Sequence, residues 1–201
     1  ITKQEVKTSA PFGADRCGAV ISEGGAFLVL ENRELAKARK ARIYAELAGF
    51  GQATDCDSIK LYSQFISSLK KCMQEAIEDA RVDSHEIDYI NASANSHLIG
   101  DLIEAQAINE VFENNRPLVS STKAMTGDLV AGSSSFELAL TALLLKEQII
   151  PPTVNRKRID KKIGLNFTAE KAQHKELNVV MSNNFEMGNS KVSFILKRKT
   201  E

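Results

Sequence analysis

Apolar and polar positions alternate in blocks along the chain, and the longest apolar block ends at Leu145. The pattern predicts a short strand over 118–121, a turn over 122–128, and a helix over 136–145 that is apolar almost all round. Such a helix is typically buried on most sides. A strand that leads through a turn into a buried helix places polar side chains at its carboxyl end, where ligands of open α/β sheets bind. Taken alone, a structural role for this turn is the commoner explanation.

The other blocks predict further strands and helices in alternation. Two apolar runs, over 19–21 and 26–30, are parted by Gly24 and Gly25 and predict two buried strands. The remaining periodicities predict strands over 43–51, 87–92, 179–182 and 191–197, and helices over 31–42, 64–81 and 102–112. Two prolines make 149–155 extended, and we expect the charged segment 156–176 to be a surface connection. This alternation indicates a layered α/β domain.

Composition narrows the class of protein. The chain has 201 residues, 43% of them apolar, and 26 basic residues balance 26 acidic ones, as in an ordinary globular protein. Because the basic residues are scattered, we expect binding neither to nucleic acid nor to an anionic membrane. No apolar run is long enough to span a membrane and no signal peptide is apparent, so a cytoplasmic location is expected.

Three cysteines, Cys17, Cys56 and Cys72, stand at irregular spacing. An odd number at such spacing argues against a disulfide framework or a zinc site and suits a reducing compartment. The chain begins at Ile1, so we expect it to be part of a longer protein.

Six short motifs occur in a specific order along the chain. They are Pro11-Phe12-Gly13-Ala14-Asp15-Arg16; Ser22-Glu23-Gly24-Gly25 with Leu28-Val29-Leu30-Glu31; Gly100-Asp101 with Glu104; Ser120-Ser121-Thr122-Lys123 with Met125-Thr126-Gly127; Ile150-Pro151-Pro152-Thr153; and Ser182-Asn183 with Phe185. In this order and spacing the chain resembles the β-ketoacyl synthases, condensing enzymes of fatty-acid and polyketide synthesis. The resemblance implies an α/β, thiolase-like layered fold. Residues 1–42 would end the N-terminal half of such an enzyme, and residues 43–201 would form its C-terminal half, a mixed sheet with helices on its faces.

The resemblance also implies where the catalytic groups should be. Family members carry two histidines in this half, which hydrogen-bond the thioester oxygen and assist decarboxylation of the malonyl unit. Their positions hold Ser93, in a loop that reads Ser93-Ala94-Asn95, and Asp128, after Met-Thr-Gly. The nearby His97 is displaced by four residues, so we expect it to be exposed and without a catalytic role. The family's nucleophilic cysteine belongs to the half that this chain lacks.

Other family positions are retained or altered. Lys123, Asp101 and Glu104 are retained, and the resemblance implies a buried ionic network in which Lys123 pairs with Glu104 and can also reach Asp128. Phe185 and Met187 would line the acyl pocket, with Met187 in place of the family's gating phenylalanine. We expect Ser93 and Asp128 to lie on either side of Lys123 at the mouth of that pocket.

These substitutions make condensing activity improbable. Serine cannot act as a general acid or base near neutral pH, and an ionised Asp128 would oppose the anion that decarboxylation forms. The leading hypothesis is a non-catalytic partner that resembles a chain-length factor. It would bind acyl carrier protein and form a heterodimer with an active ketosynthase, or a homodimer, without a cofactor or a metal. The alternatives are an active 3-oxoacyl synthase or acyltransferase with altered residues, and a degenerate relative that binds no acyl ligand.

Overall fold

The computed structural model describes residues 8–54, 62–113, 115–168, 170–185 and 190–199. Its helices are α1 (Arg33–Ala38), α2 (Tyr62–Asp79), α3 (Gly100–Val111), α4 (Lys123–Thr126) and α5 (Ser133–Glu147), with single 3-10 turns at Ser84–Glu86 and Val130–Gly132. Its strands are β1 (Glu46–Thr54), β2 (Tyr89–Asn91), β3 (Leu118–Ser120), β4 (Ile149–Ile150), β5 (Gln173–His174), β6 (Val179–Phe185) and β7 (Ser190–Lys197). No helix within these ranges is long and apolar enough to cross a membrane.

Five strands form one mixed sheet, in the order β1-β7-β6-β2-β3. β1, β7 and β6 pair antiparallel, whereas β6, β2 and β3 run parallel. Side chains alternate between the two faces, as the period of a strand requires. In β2, Tyr89 joins the hydrophobic cluster that includes α5, and Ile90 joins the one that includes α2 and α3. In β6, Val180 and Met181 divide in the same way, so helices cover both faces.

The predicted central helix packs on the sheet, and this prediction is confirmed. α5 contacts β6 and β7, and its Leu138 and Leu145 are buried. The helix also carries a line of buried polar residues that the apolar pattern did not predict. These residues are Ser133, Glu137 and Thr141. These three residues are four apart and therefore share one face of the helix. The preceding segment, predicted to be a turn, contains the short helix α4.

β1 carries glycines where α2 crosses it. A Cβ atom on Gly49 would collide with the carbonyl oxygen of Ala76, and one on Gly51 with that of Cys72. The two elements can therefore approach backbone to backbone only because these positions lack side chains. This contact fixes the α2 layer on the sheet.

The prediction of two buried strands over 19–21 and 26–30 is wrong. Ile21 forms a single bridge with Asp128, and Phe27 and Val29 are 104% and 89% exposed. A strand needs a hydrogen-bonding neighbour along its length, and the described ranges supply none here. The run 26–30 instead forms one wall of an apolar groove of about 840 Å³, whose other walls include α1, residues 41–47 and α5. The chain therefore exposes apolar side chains on this side.

Candidate functional site

Three parallel strands end at one edge of the sheet, and each brings a hydrogen-bonding group there, a side chain from two of them and the backbone of Phe185 from the third. Ser93 follows β2 by two residues, Lys123 follows β3 by three, and Phe185 is the last residue of β6. Parallel strands that end together create a crevice at their carboxyl ends, which is the usual place for a ligand in an open α/β sheet. The candidate site lies at this edge.

Ser93 is held by hydrogen bonds on two sides. Its backbone N–H donates to Oε1 of Glu104 at 2.8 Å. Its hydroxyl oxygen accepts the N–H of Phe185 at 2.9 Å and lies 3.4 Å from the carbonyl oxygen of the same residue. Ser93 as a whole is only 8% exposed. The hydroxyl therefore joins the β2 loop to the end of β6, and its hydrogen-bonding capacity is used within the protein.

Asp128 is fixed by three donors. Its Oδ2 accepts the side-chain amide of Asn95 at 2.7 Å. Its Oδ1 accepts the N–H of Val130 at 3.0 Å and the hydroxyl of Ser133 at 2.9 Å. Burial raises the pKa of this carboxyl, but these hydrogen bonds and the charge of Lys123 outweigh burial, so its pKa lies below the ordinary value. Asp128 is therefore ionised at neutral pH and links the loop after β2 to the start of α5.

The ion pair expected between Lys123 and Glu104 is not the one that forms. Lys123 Nζ donates to Oε1 of Glu137 at 2.7 Å, and the two side chains are 4% and 2% exposed. Glu137 reaches the lysine because α5 turns its polar line toward the site, whereas Glu104 already accepts the N–H of Ser93. Burial raises the pKa of Glu137 to about 7 despite the charge of Lys123.

Glu104 and Asp101 add two more buried carboxyl groups. Burial raises the pKa of Glu104 to about 8, although the N–H of Ser93 favours the charged form. Burial also raises the pKa of Asp101 to about 6, against the N–H of Phe12, which donates to its Oδ2 at 2.8 Å. Glu104 and Glu137 thus share one buried lysine, whereas the cation that acts on Asp101 is Arg16. Since a buried charge requires a partner, Glu104 holds a proton at neutral pH and Lys123–Glu137 is the ion pair.

Sequence reasoning missed Glu137, Asn95 and Ser133. Glu137 had a detectable signal, because an acidic residue inside an otherwise apolar helix must find a buried partner. Asn95 and Ser133 had no comparable signal, because short polar residues in loops and at helix starts are common. His97 also differs from expectation: it is half-buried, and its Nδ1 accepts the N–H of Gly100 at 2.9 Å at the start of α3.

The two residues predicted to line an acyl pocket have different outcomes. Phe185 is half-buried and packs against the hydrophobic cluster that includes α2 and α3. Met187 lies in the segment 186–189, outside the described residues. The structure therefore places Ser93, Asp101, Glu104, Lys123, Asp128 and Phe185 around one sheet edge. Of these six, Asp128 is ionised and accepts three hydrogen bonds, so this site presents a fixed anion rather than a free acid or base.

Comparison with known proteins identifies relatives along nearly the whole chain. Residues 44–157 match the family described as "Beta-ketoacyl synthase, C-terminal domain". The chain is 34% identical to 3-oxoacyl-[acyl-carrier-protein] synthase 2 of Coxiella burnetii over 96% of its length, covering 47% of that protein. It is 37% identical to the synthase 2 of Rhizobium meliloti, again over 96% of its length and 46% of the relative. The chain thus spans about half the length of the curated relatives it matches.

Solved structures show the same architecture. The ishigamide ketosynthase/chain length factor superposes with a TM-score of 0.91 at 28% identity, covering 98% of this chain and 48% of that one. A β-ketoacyl synthase from Burkholderia phymatum gives a TM-score of 0.86 at 35% identity, covering 95% and 46%. The fold is therefore the α/β, thiolase-like fold of the ketosynthases, as predicted.

Proposed function

We propose, since the chain belongs to the β-ketoacyl synthase family, that it is a ketosynthase-like subunit of fatty-acid or polyketide synthesis that does not itself condense acyl groups. In this proposal it pairs with an active ketosynthase, as a chain-length factor does, and helps to shape the acyl pocket. Residues 1–42 would end the N-terminal ketosynthase half, and residues 43–201 would form the C-terminal half. A cytoplasmic location belongs to the same proposal.

The ionised carboxylate of Asp128 is the observation on which the proposal rests. Decarboxylation of a malonyl thioester develops negative charge on the enolate, and catalysis depends on donors directed at that charge. A carboxylate about 4 Å from the enolate opposes it by roughly 4 kcal/mol at an effective dielectric of 20. That energy corresponds to about a thousandfold in rate. The donors from Asn95, Val130 and Ser133 favour the charged form, so protonation does not relieve the repulsion near neutral pH.

The position of Ser93 supports the same conclusion. A serine hydroxyl is too weak an acid and too weak a base to transfer protons near neutral pH. Here the hydroxyl also bonds to the backbone of Phe185. Lys123 is engaged by Glu137, so the retained lysine has a structural partner in the described part of the chain. Ser93, Asp128 and Lys123 therefore serve to hold the loops of the site together.

The solved relatives support the proposed partners. One similar structure is a ketosynthase/chain length factor pair. Another, with a TM-score of 0.90 at 26% identity, is a type II polyketide ketosynthase in complex with its acyl-carrier protein. By this likeness we propose an acyl carrier protein and an active ketosynthase as partners, with a homodimer as the alternative assembly.

An active 3-oxoacyl synthase or acyltransferase with altered residues is the second candidate. It is favoured by the relatives themselves, since the similar proteins of Coxiella burnetii and Rhizobium meliloti are named as 3-oxoacyl synthases. The two candidates differ in the fate of a malonyl thioester. An active enzyme must lower the barrier to loss of carbon dioxide, whereas the proposed subunit leaves it unchanged.

The deciding experiment measures carbon dioxide release from malonyl carrier protein by the purified full chain. We expect release no faster than that of the thioester alone, with an active ketosynthase as the positive control. Light scattering of the chain mixed with that ketosynthase then tests whether a heterodimer forms. Release at rates typical of an active ketosynthase, with Asp128 unaltered and no partner present, would establish the second candidate instead.

A further inference from the structure

The carboxylate of Asp128 is hydrogen-bonded but not paired with a cation. Its three donors are the side-chain amide of Asn95, the N–H of Val130 and the hydroxyl of Ser133, and all three are uncharged groups. They stabilise the ionised form, yet the formal charge remains. Within the described ranges no lysine or arginine forms an ion pair with Asp128.

The nearest buried cation does not balance the carboxylates around it. Lys123 lowers the pKa of Asp128 through its charge, but its ammonium group donates to Glu137 at 2.7 Å. The two carboxylates also act on each other, since the charge of Asp128 raises the pKa of Glu137. With Glu104 protonated, one ammonium group faces two carboxylates. The site therefore keeps one negative charge in excess.

This excess charge has a fixed position at the sheet edge. The N–H of Asp128 donates to the carbonyl of Val20 at 2.8 Å, and its carbonyl accepts the N–H of Ser22 at 2.9 Å. These two hydrogen bonds hold the backbone, while the three donors described above hold the carboxylate. A charge that is already oriented acts on a ligand without a cost of reorganisation.

The carboxylate is also accessible to a ligand. Asp128 is half-buried, and its neighbours Ile21 and Val130 are 65% and 52% exposed. A carboxylate has about four acceptor positions. Oδ1 uses two of them and Oδ2 uses one, so Oδ2 can accept one further hydrogen bond. An ammonium group supplies both that hydrogen bond and the positive charge that the site lacks.

From these observations we propose that Asp128 selects acyl groups by charge: the site excludes carboxylated acyl thioesters such as malonyl, accepts uncharged ones, and binds those that end in an ammonium group most tightly. The inference rests on the proposed function for the thioester, and on the charge and geometry of Asp128 for the order of preference. A purely structural role does not require the charge, because a neutral carbonyl oxygen accepts the same N–H and hydroxyl hydrogen bonds.

The test compares three acyl groups of similar size on one arm. Butyryl, malonyl and β-alanyl groups are joined to pantetheine by an amide in place of the thioester, so that the acyl group is not transferred. Isothermal titration calorimetry with the full-length protein at pH 7 and low salt measures the three dissociation constants. We expect the malonyl analogue to bind at least about tenfold more weakly than the butyryl analogue, and the β-alanyl analogue at least about tenfold more tightly.

Three comparisons assign this order to the charge of Asp128. Asp128→Asn keeps an oxygen for Val130 and Ser133, so it should bind the butyryl analogue as the wild type does and bring the three dissociation constants within about threefold of one another. The matched control Glu78→Gln removes one charge from an exposed position of α2 and should retain the wild-type order. In the wild type, salt at about 0.5 M should reduce the differences between the analogues, which tests the charge without a substitution.

The other outcomes separate this inference from the proposed function. Equal binding of the three analogues by the wild type would overturn the inference and leave the proposed function standing. Tighter binding of the malonyl analogue, or an order of preference that Asp128→Asn retains, would overturn it as well. If no analogue binds, the acyl pocket of the proposed function fails together with the inference. Rapid release of carbon dioxide from malonyl carrier protein, with the order of preference present, would refute the proposed function alone.

Discussion

Replacing Glu104 by glutamine should change how the stability of the protein depends on pH. Glu104 is 2% exposed, and its carboxyl group accepts the N–H of Ser93 at 2.8 Å. Lys123, the nearest buried cation, is committed to Glu137. Glutamine keeps an oxygen for the N–H of Ser93 but cannot ionise. The substitution therefore removes a titrating group while preserving the hydrogen bond.

The sign of the effect follows from the raised pKa. Burial raises the pKa of Glu104 from an ordinary 4.5 to about 8, so the folded protein retains a proton that the unfolded chain releases. The contribution of Glu104 to stability is therefore fully present below pH 4.5 and is lost as the pH rises toward 8. A shift of this size corresponds to on the order of 5 kcal/mol, comparable with the whole stability of a small domain. The raised pKa values of Glu137 and Asp101 act in the same direction.

Urea unfolding followed by circular dichroism at pH 5, 7 and 9 measures the difference. We expect Glu104→Gln to match the wild type within about 1 kcal/mol at pH 5 and to exceed it by several kcal/mol at pH 9. Glu110→Gln is the matched control on the same helix. Glu110 is half-buried and its pKa is lowered by the hydrogen bond from Lys70, so it stays ionised across this range and should leave the slope unchanged. Equal pH dependence in Glu104→Gln and the wild type would refute the reasoning.

Two further predictions concern the buried ion pair and the close contact between α2 and β1. Lys123→Met leaves Glu137 buried without its cation, so it should destabilise the protein by about 3–5 kcal/mol above pH 8 in urea unfolding, and by less at pH 6, where Glu137 can hold a proton. Lys123→Met/Glu137→Gln should recover most of this loss of stability. A large loss retained in the double variant would contradict an electrostatic cause. Gly51→Ala forces a methyl group into the carbonyl of Cys72 and should lower stability by about 1–3 kcal/mol in thermal unfolding. The control Gly25→Ala adds a methyl group that meets nothing within 4 Å and should leave stability unchanged. Equal melting temperatures of the two variants would show that α2 can shift away from β1.

The sequence predicted the elements that bury their own apolar faces. α2, α3 and α5 have strong periodicity or apolar content, and β2, β3, β6 and β7 are short apolar runs between turn residues, so local pattern and final packing agree. The runs 19–21 and 26–30 have equally apolar patterns but remain largely exposed, and in the described part of the chain only the single bridge of Ile21 to Asp128 pairs them. Apolar content indicates that the side chains of a segment should be buried away from water. It does not specify which segment of the chain covers it.

The site was only partly predictable for a different reason. The resemblance to the β-ketoacyl synthases located Ser93, Asp101, Glu104, Lys123 and Asp128, because each stands at a position of the family's motifs. The sequence could not determine which carboxyl group forms the ion pair with Lys123, since that depends on which face α5 turns toward the sheet edge. The register of α5 also decides the partners of Asp128. Pairing within the site is thus a property of the packed helix.

The residues at 93, 95 and 128 depend physically on one another. The carboxylate of Asp128 accepts a hydrogen bond from the side-chain amide of Asn95 at 2.7 Å, and the hydroxyl oxygen of Ser93 accepts one from the N–H of Phe185. A histidine at 128 would withdraw the acceptor of Asn95, and a half-buried amide without an acceptor costs about 1–3 kcal/mol. A histidine at 93 would likewise leave the N–H of Phe185 without its hydroxyl. We therefore expect restoration of the family's histidines to require a compensating change at Asn95, because its side-chain amide would otherwise lose the carboxylate that accepts its hydrogen bond.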